Sequence, residues 1–313
     1  MSIQFLEREL TQIFPNILNT IRDELRFYNG VLVPVLGQLP DGVEFIKQYR
    51  QDYTGIAARY NGIANDIPTV DVLMTSHSWT AAQWVIGVTW NETEVAQYEY
   101  AKSSGQITRQ FGVVQLKTQA AASVIGESIN KAVAFGDTNF KGFINHSDVH
   151  LSTETTSPYT LAVTALYDYL KGLAWYAARR SLLTPGRFSL LVPPDLYQKL
   201  TNPFSIDSPN ITPMSLLTDP SKGIYFADVE MLPELSYTML EDGGVHPAGT
   251  NKDRLIVYER SPDTVTRYTA PLKTTAPLQT HQLHWNIAMH QRSSEIMVRQ
   301  PLRIFYRDFA KAA

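Results

Sequence analysis

The sequence predicts an α+β fold, and three observations carry that reading. Helical spacing of apolar residues is concentrated in the first half of the chain. From Arg254 onward the pattern alternates as strands do (RLIVYE, VTRYT, EIMVRQPLRIFYRDF). No internal repeat or low-complexity tail interrupts the order.

Residues 4–28 read as a helix with Leu10, Ile13, Phe14, Ile17, Leu18, Ile21 and Leu25 on one face, kinked at Pro15. Its polar face mixes Glu7, Glu9, Asp23 and Glu24 with Arg8, Arg22 and Arg26. It therefore lacks the basic bias of a membrane-surface anchor and reads as a helix that packs on protein. Residues 31–43 are extended and broken by Pro and Gly.

From Glu44 to about Trp84 the pattern is a long two-stranded excursion. Phe45, Tyr49, Tyr53, Ile56 and Tyr60 lead into the turn-rich NGIANDIP, and Val70, Val72, Met74 and Trp79 lead out. A two-stranded ribbon is marginal alone in water, so it needs a surface to lie on. The next helix begins around Thr89–Glu92 and runs through Ala101. Another spans about 113–133 with a stripe at Leu116, Ala120 and Val124, closed by Gly136. A third starts with Ser157 as cap and Pro158 in the first turn, its stripe being Leu161, Leu166, Tyr169, Leu170, Leu173 and Ala177. Arg187–Val192 is a short buried strand and Pro194–Leu200 a short helix. Residues 201–252 hold short elements such as Ile224–Phe226, and 278–292 is one long strand.

The 313 residues are enough to bury a sizeable core. Only 18% are charged, which suits a surface that meets other protein and equally a large ordinary fold with a polar, uncharged surface rich in Thr, Ser, Asn and Gln. A net charge of −3, from 27 basic and 30 acidic residues, opposes a role in holding nucleic acid by phosphate neutralisation. The absence of cysteine excludes disulfides, thiolate metal sites and cysteine nucleophiles. With no signal-peptide pattern and no apolar run of about 20 residues, the chain reads as a soluble protein made in a cytoplasm.

Residues that could carry chemistry are few. His281, His284 and His290 sit in HQLHWNIAMH. On one strand the first two point to opposite faces, and the last two lie about 20 Å apart. His146 and His150 fall in a loop, and H-E-x-x-H, Walker, G-x-G-x-x-G and G-x-S-x-G motifs are missing. Gly243, Gly244 and Gly249 are turn residues. Glu92 and Glu94 cannot converge on one substrate, and Arg179-Arg180 oppose a helix dipole. No catalytic, cofactor or metal site is expected. A metal-dependent hydrolase built on His281–His290 stays as the alternative from another class.

Three stretches resemble the Hong Kong 97-type major capsid proteins of tailed bacteriophages. They are Phe135–His146 (FGDTNFKGFINH), Leu190–Leu200 (LLVPPDLYQKL), and Asp253–Glu259 with Asp263–Val265 and the closing strands from Arg292 to Leu302. Phe143-Ile144 stands where the family usually has Leu-Leu. The resemblance implies a map of the chain. Residues 1–43 are an N-terminal arm and 44–85 an extended β-hairpin loop. Residues 86–185 form a peripheral domain with a spine helix at about 113–135, 186–252 an axial domain, and 253–313 the peripheral strands.

It also implies a non-enzymatic protein that assembles with itself into pentamers and hexamers, enclosing double-stranded DNA in a virion capsid put together in the host cytoplasm. Scaffold, portal and decoration proteins are the further partners of such shells; the DNA is contacted non-specifically and no membrane is involved. Tyr49, Tyr53, Ile56, Tyr60, Val70 and Val72 become candidate inter-subunit contacts. An encapsulin-type nanocompartment shell is the alternative within the same fold. Some shells of this fold cross-link a loop lysine to a distant asparagine, and this chain has no lysine between Lys47 and Lys102.

Overall fold

The computed structural model describes residues 24–55, 69–103, 112–137, 139–204, 210–243 and 251–311. The helix expected over 4–28 lies almost wholly outside them; of its residues only 24–28 are described, and 26–30 form a turn. In chain order the strands and main helices are β1 (Val35–Gln38), β2 (Phe45–Thr54), β3 (Asp71–Asn91), α1 (Glu92–Ser103), α2 (Val113–Phe135), β4 (Gly136–Asp137), β5 (Phe140–Lys141) and β6 (His150–Thr153). Then come α3 (Val163–Ser181), β7 (Phe188–Val192), α4 (Pro194–Thr201), α5 (Pro213–Leu217), β8 (Asp228–Met231), α6 (Tyr237–Asp242), β9 (Lys252–Glu259) and β10 (Val265–Thr269). β11 (Lys273–Thr274), β12 (Leu278–His281), β13 (His284–Ser294), β14 (Met297–Val298) and β15 (Ile304–Ala310) close the chain.

The chain divides into two compact units. The larger holds residues 32–82, 131–270 and 293–313, and is built on a five-stranded sheet ordered β6-β15-β9-β7-β8. Antiparallel β7, β9 and β15 form its centre, with β6 and β8 added in parallel. β7 is buried throughout and β9 from Asp253 on, as near-continuous apolar strands with both faces covered should be. On one face Leu166, Leu170, Leu173 and Ala177 of α3 pack against Phe188, Leu190, Val192, Leu255, Val257, Phe305 and Phe309. Tyr258 meets Phe143 edge-on at 5.1 Å. Leu32 and Val33 are buried in this unit, the Tyr258 hydroxyl donates to the Leu32 carbonyl, and β1 runs parallel to β10.

The smaller unit holds residues 24–31, 83–130 and 271–292. Here Asn130 Oδ1 accepts the N–H groups of Phe27 and Tyr28, each at 3.0 Å, and the Tyr28 hydroxyl meets Gln291 at 3.0 Å. Leu25 and Tyr28 lie close over Gly126 of α2, where no larger side chain would fit without displacing Leu25. Lys117 pairs with Glu94 of α1 at 2.7 Å.

Four expectations are corrected. The buried stripe of α2 is Ala121, Ile125, Ile129 and Val133, one residue on from the expected one; Ala120 and Val124 are exposed. Ser157 and Pro158 open a single 3₁₀ turn, and α3 begins only after its N-cap, Ala162. Ile224–Phe226 is irregular, and the strand there is β8. The stretch 278–292 is a hairpin: β12 and β13 turn back at Gln282-Leu283, with Leu283 in the left-handed region (φ 64°).

The FGDTNFKGFIN stretch ends α2 as a tight hairpin. Gly136, at φ 82°, is in a conformation costly for any residue with a Cβ, and β4 pairs with β5 immediately after it. A Cβ on Gly142 would collide with the Gly136 backbone, so both glycines are needed for the reversal. Phe143 and Ile144 then plug the core, their N–H groups donating to the carbonyls of Val133 and Ala134 at 2.8 Å.

Candidate inter-subunit surface

β2 and β3 pair antiparallel in unbroken register from Phe45↔Thr80 to Thr54↔Asp71, forming a ribbon of ten rungs. Successive side chains in a strand alternate faces, so the register assigns every residue to one side. Phe45, Tyr49 and Tyr53 of β2 share a face with Met74 and Val72 of β3, and Val70 continues it by parity. All six are exposed, between 44% and 70%. Lys47, Gln51, Ser76 and Ser78 share that face, and the other face is more polar, with Gln48, Arg50, Asp52, Thr75 and His77 beside Ile46, exposed Leu73 and buried Trp79. The larger share of the apolar side chains thus lies on one face, and that face is open.

Of the six candidate contacts, Tyr49, Tyr53, Val70 and Val72 fall on this face, while Ile56 and Tyr60 lie outside the described residues. Phe45 and Met74 belong to the face and were missed. Period-two alternation read across both strands, with the pairing register, is the signal that finds them.

At its root the ribbon is fixed to the larger unit. Trp79 is buried, and the Ala81 N–H donates to the Glu44 carbonyl at 2.8 Å. Glu295 receives the Thr80 N–H at 2.7 Å and returns its own N–H to the Thr80 carbonyl at 2.9 Å. A cleft of about 510 Å³ opens beside the root, lined by residues 48–51, His77 and Trp79 and by Val298–Arg303. Its charged groups, Arg50, Arg299 and Arg303 against Asp148 and Asp263, are of mixed sign and present no nucleophile–base pair.

The histidines are distributed differently from expectation. Because β12 and β13 form a hairpin, His281 and His284 are direct cross-strand partners, not residues on opposite faces of one strand. His290 lies farther along β13, opposite Lys273. Among the described residues no three His, Cys, Asp or Glu side chains converge to hold a metal ion.

His146 is buried. Its Nδ1 accepts the Asp148 N–H at 3.2 Å and its Nε2 lies 3.1 Å from the Ile296 carbonyl, an arrangement for the neutral ring. Burial is the main cause that lowers its pKa to about 4, against the opposing pull of Asp148. The Tyr306 hydroxyl donates to the Phe143 carbonyl and accepts the His146 N–H, and burial pushes that phenol up. These groups tie the turn after α2 to the central sheet. No described helix is long and apolar enough to cross a membrane.

The family model described as "Major capsid protein" matches residues 55–163. No curated protein matches the chain. Among solved structures, the capsid of Myoviridae phage XM1 superposes with a TM-score of 0.74 at 13% identity, over 96% of this chain and 97% of that one. The capsid of the native GTA particle gives 0.62 at 10% identity, over 96% and 95%. Mycobacterium phage Adephagia gives 0.57 at 12% identity, over 100% and 99%. The likeness runs end to end, so the fold is shared over the whole chain and not over one module.

Proposed function

We propose that this chain, a shell-forming major capsid protein of the Hong Kong 97-type fold, assembles with copies of itself into pentamers and hexamers that close an icosahedral head around double-stranded DNA. The observation that carries the reading is the ribbon's open face of Phe45, Tyr49, Tyr53, Val70, Val72 and Met74. Each large side chain covered by a neighbour contributes roughly 1.5–3 kcal/mol. Head-to-tail contacts of one such face with a different surface on the next copy build rings where the rotation closes. Many modest contacts around a ring then act together.

On this proposal residues 1–43 are the arm, its stretch Val35–Gln38 fastened to β10, and 44–85 are the extended loop. Residues 86–185 and 253–313 form the peripheral domain with α2 as its spine, and 186–252 the axial domain. The role is structural. Scaffold, portal and decoration proteins are its further partners, the DNA is held without sequence preference, and assembly takes place in the host cytoplasm.

The test is sedimentation and negative-stain microscopy of the purified chain over a range of concentrations. Capsomers or closed shells are expected. A strictly monomeric protein at high concentration would overturn the proposal.

A further inference from the structure

We propose that Glu295 is the positioning residue that sets the direction in which the ribbon leaves the larger unit, and so decides whether a subunit can reach its neighbour; this rests on the self-assembly reading. Glu295 is only 4% exposed, and both of its carboxylate oxygens are used. Oε1 accepts the Thr80 N–H at 2.7 Å and Oε2 accepts the Lys141 N–H at 3.0 Å. The backbone repeats the grip: the Glu295 N–H donates to the Thr80 carbonyl at 2.9 Å, and the Ile296 N–H to that of Lys141 at 3.2 Å. One residue thus joins the root of the ribbon to the hairpin that ends α2.

Thr80 is the ribbon's last rung, opposite Phe45. From there to Asp71 the strand extends about 30 Å, so a swing of roughly 10° at the root moves the far rung by about 5 Å. That is more than a packed side-chain contact tolerates.

Only a carboxylate offers two acceptors and no donor. Glutamine would turn an NH₂ group toward one of the two N–H donors, leaving it unpaired. A residue needed only for core stability would act equally on the whole unit, whereas a positioning residue acts on the ribbon.

The experiment uses the full chain as Glu295→Gln and as the double variant Thr80→Cys/Glu295→Cys. The chain has no other cysteine, and the Glu295 N–H donates to the Thr80 carbonyl at 2.9 Å, which makes the two residues neighbours. For Glu295→Gln we expect an unchanged circular dichroism spectrum and at least tenfold faster hydrogen exchange at the Thr80 and Lys141 amides. β9 and β15 should exchange as before, and shell yield should fall at least tenfold. The oxidised double variant should assemble and its reduced form should not.

Normal shells from Glu295→Gln, or a bridged double variant that stays unassembled, would overturn the proposal. Loss of folding in Glu295→Gln would make the residue a core-stability element and overturn it too. If the unaltered chain itself forms no capsomers, the self-assembly reading fails; unchanged exchange at the two amides then counts against the clamp, and accelerated exchange supports it.

Discussion

Arg254 and Asp308 are register partners on the adjacent strands β9 and β15, and the guanidinium holds the carboxylate through two hydrogen bonds of 2.7 and 2.8 Å. Both side chains are fully buried, and the remaining Arg254 nitrogen donates to the Ile144 carbonyl at 2.7 Å. Removing one partner strands a charge in the core. Arg254→Ala or Asp308→Ala should therefore destabilise the chain by about 3–5 kcal/mol. The paired change Arg254→Met/Asp308→Leu should cost less than either alone. Urea unfolding of the three variants checks this; additive losses in the double variant would contradict it.

Acid sensitivity should centre on His146. Its folded pKa of about 4 lies below the ordinary value of 6.5, so the unfolded chain takes up a proton that the folded chain refuses. The contribution is fully present above pH 6.5 and is lost as pH falls toward 4, about 3 kcal/mol in all. Melting temperature against pH should fall across that window, and His146→Gln should flatten the slope. An unaltered slope in the variant would assign the effect to other groups.

The ribbon face should matter for association and not for folding. Tyr49→Ser, Tyr53→Ser and Val72→Ser each remove an exposed apolar group, so unfolding free energy should change by no more than about 0.5 kcal/mol. The triple variant should lose capsomers in sedimentation. Replacing residues 51–74 by a short Gly/Ser linker should give the same pair of results, because it spares buried Trp79 and the Thr80 anchor. A non-cooperative melt of that variant would place the ribbon in the subunit's own core.

Covalent cross-linking through the loop should be absent. Lys47 sits near the root, opposite Ser78, and no lysine follows before Lys102. Particles boiled in detergent should run as monomer on a denaturing gel. A ladder of oligomers would refute the prediction.

Much of the fold was legible because its signals are strong and local. β7 and β9 hold short apolar runs (FSLLV, LIVY), β10 is rich in β-branched and aromatic residues, and the ribbon shows two alternating runs around a turn-rich centre. α2 was placed well but rotated wrongly, because Leu116-Ala120-Val124 and Ala121-Ile125-Ile129 are both apolar rows and sequence alone does not say which faces inward. Ser157 does cap a turn, accepting the Tyr159 N–H, but only a 3₁₀ turn. The β12–β13 turn carries no Gly, Asn or Asp, and Leu283 adopts a left-handed conformation that its side chain disfavours. Spacing named the ribbon's apolar positions, Phe45 and Met74 included, and the cross-strand register then showed which of them share a face.

β2 is also the outermost strand of its sheet, with its far edge unpaired by any described strand. An exposed edge is a template for runaway strand addition, and proteins blunt it with charge. Lys47, Arg50 and Asp52 are spaced along β2, so a second ribbon approaching sideways meets charged side chains that resist desolvation. Toward its far end the open face, with Tyr49, Tyr53, Val70, Val72 and Met74, carries no charge; Lys47 on that face sits near the root. On the self-assembly proposal a subunit is therefore adhesive broadside and repellent edgewise, which would steer encounters toward layered contacts and away from fibrous aggregation.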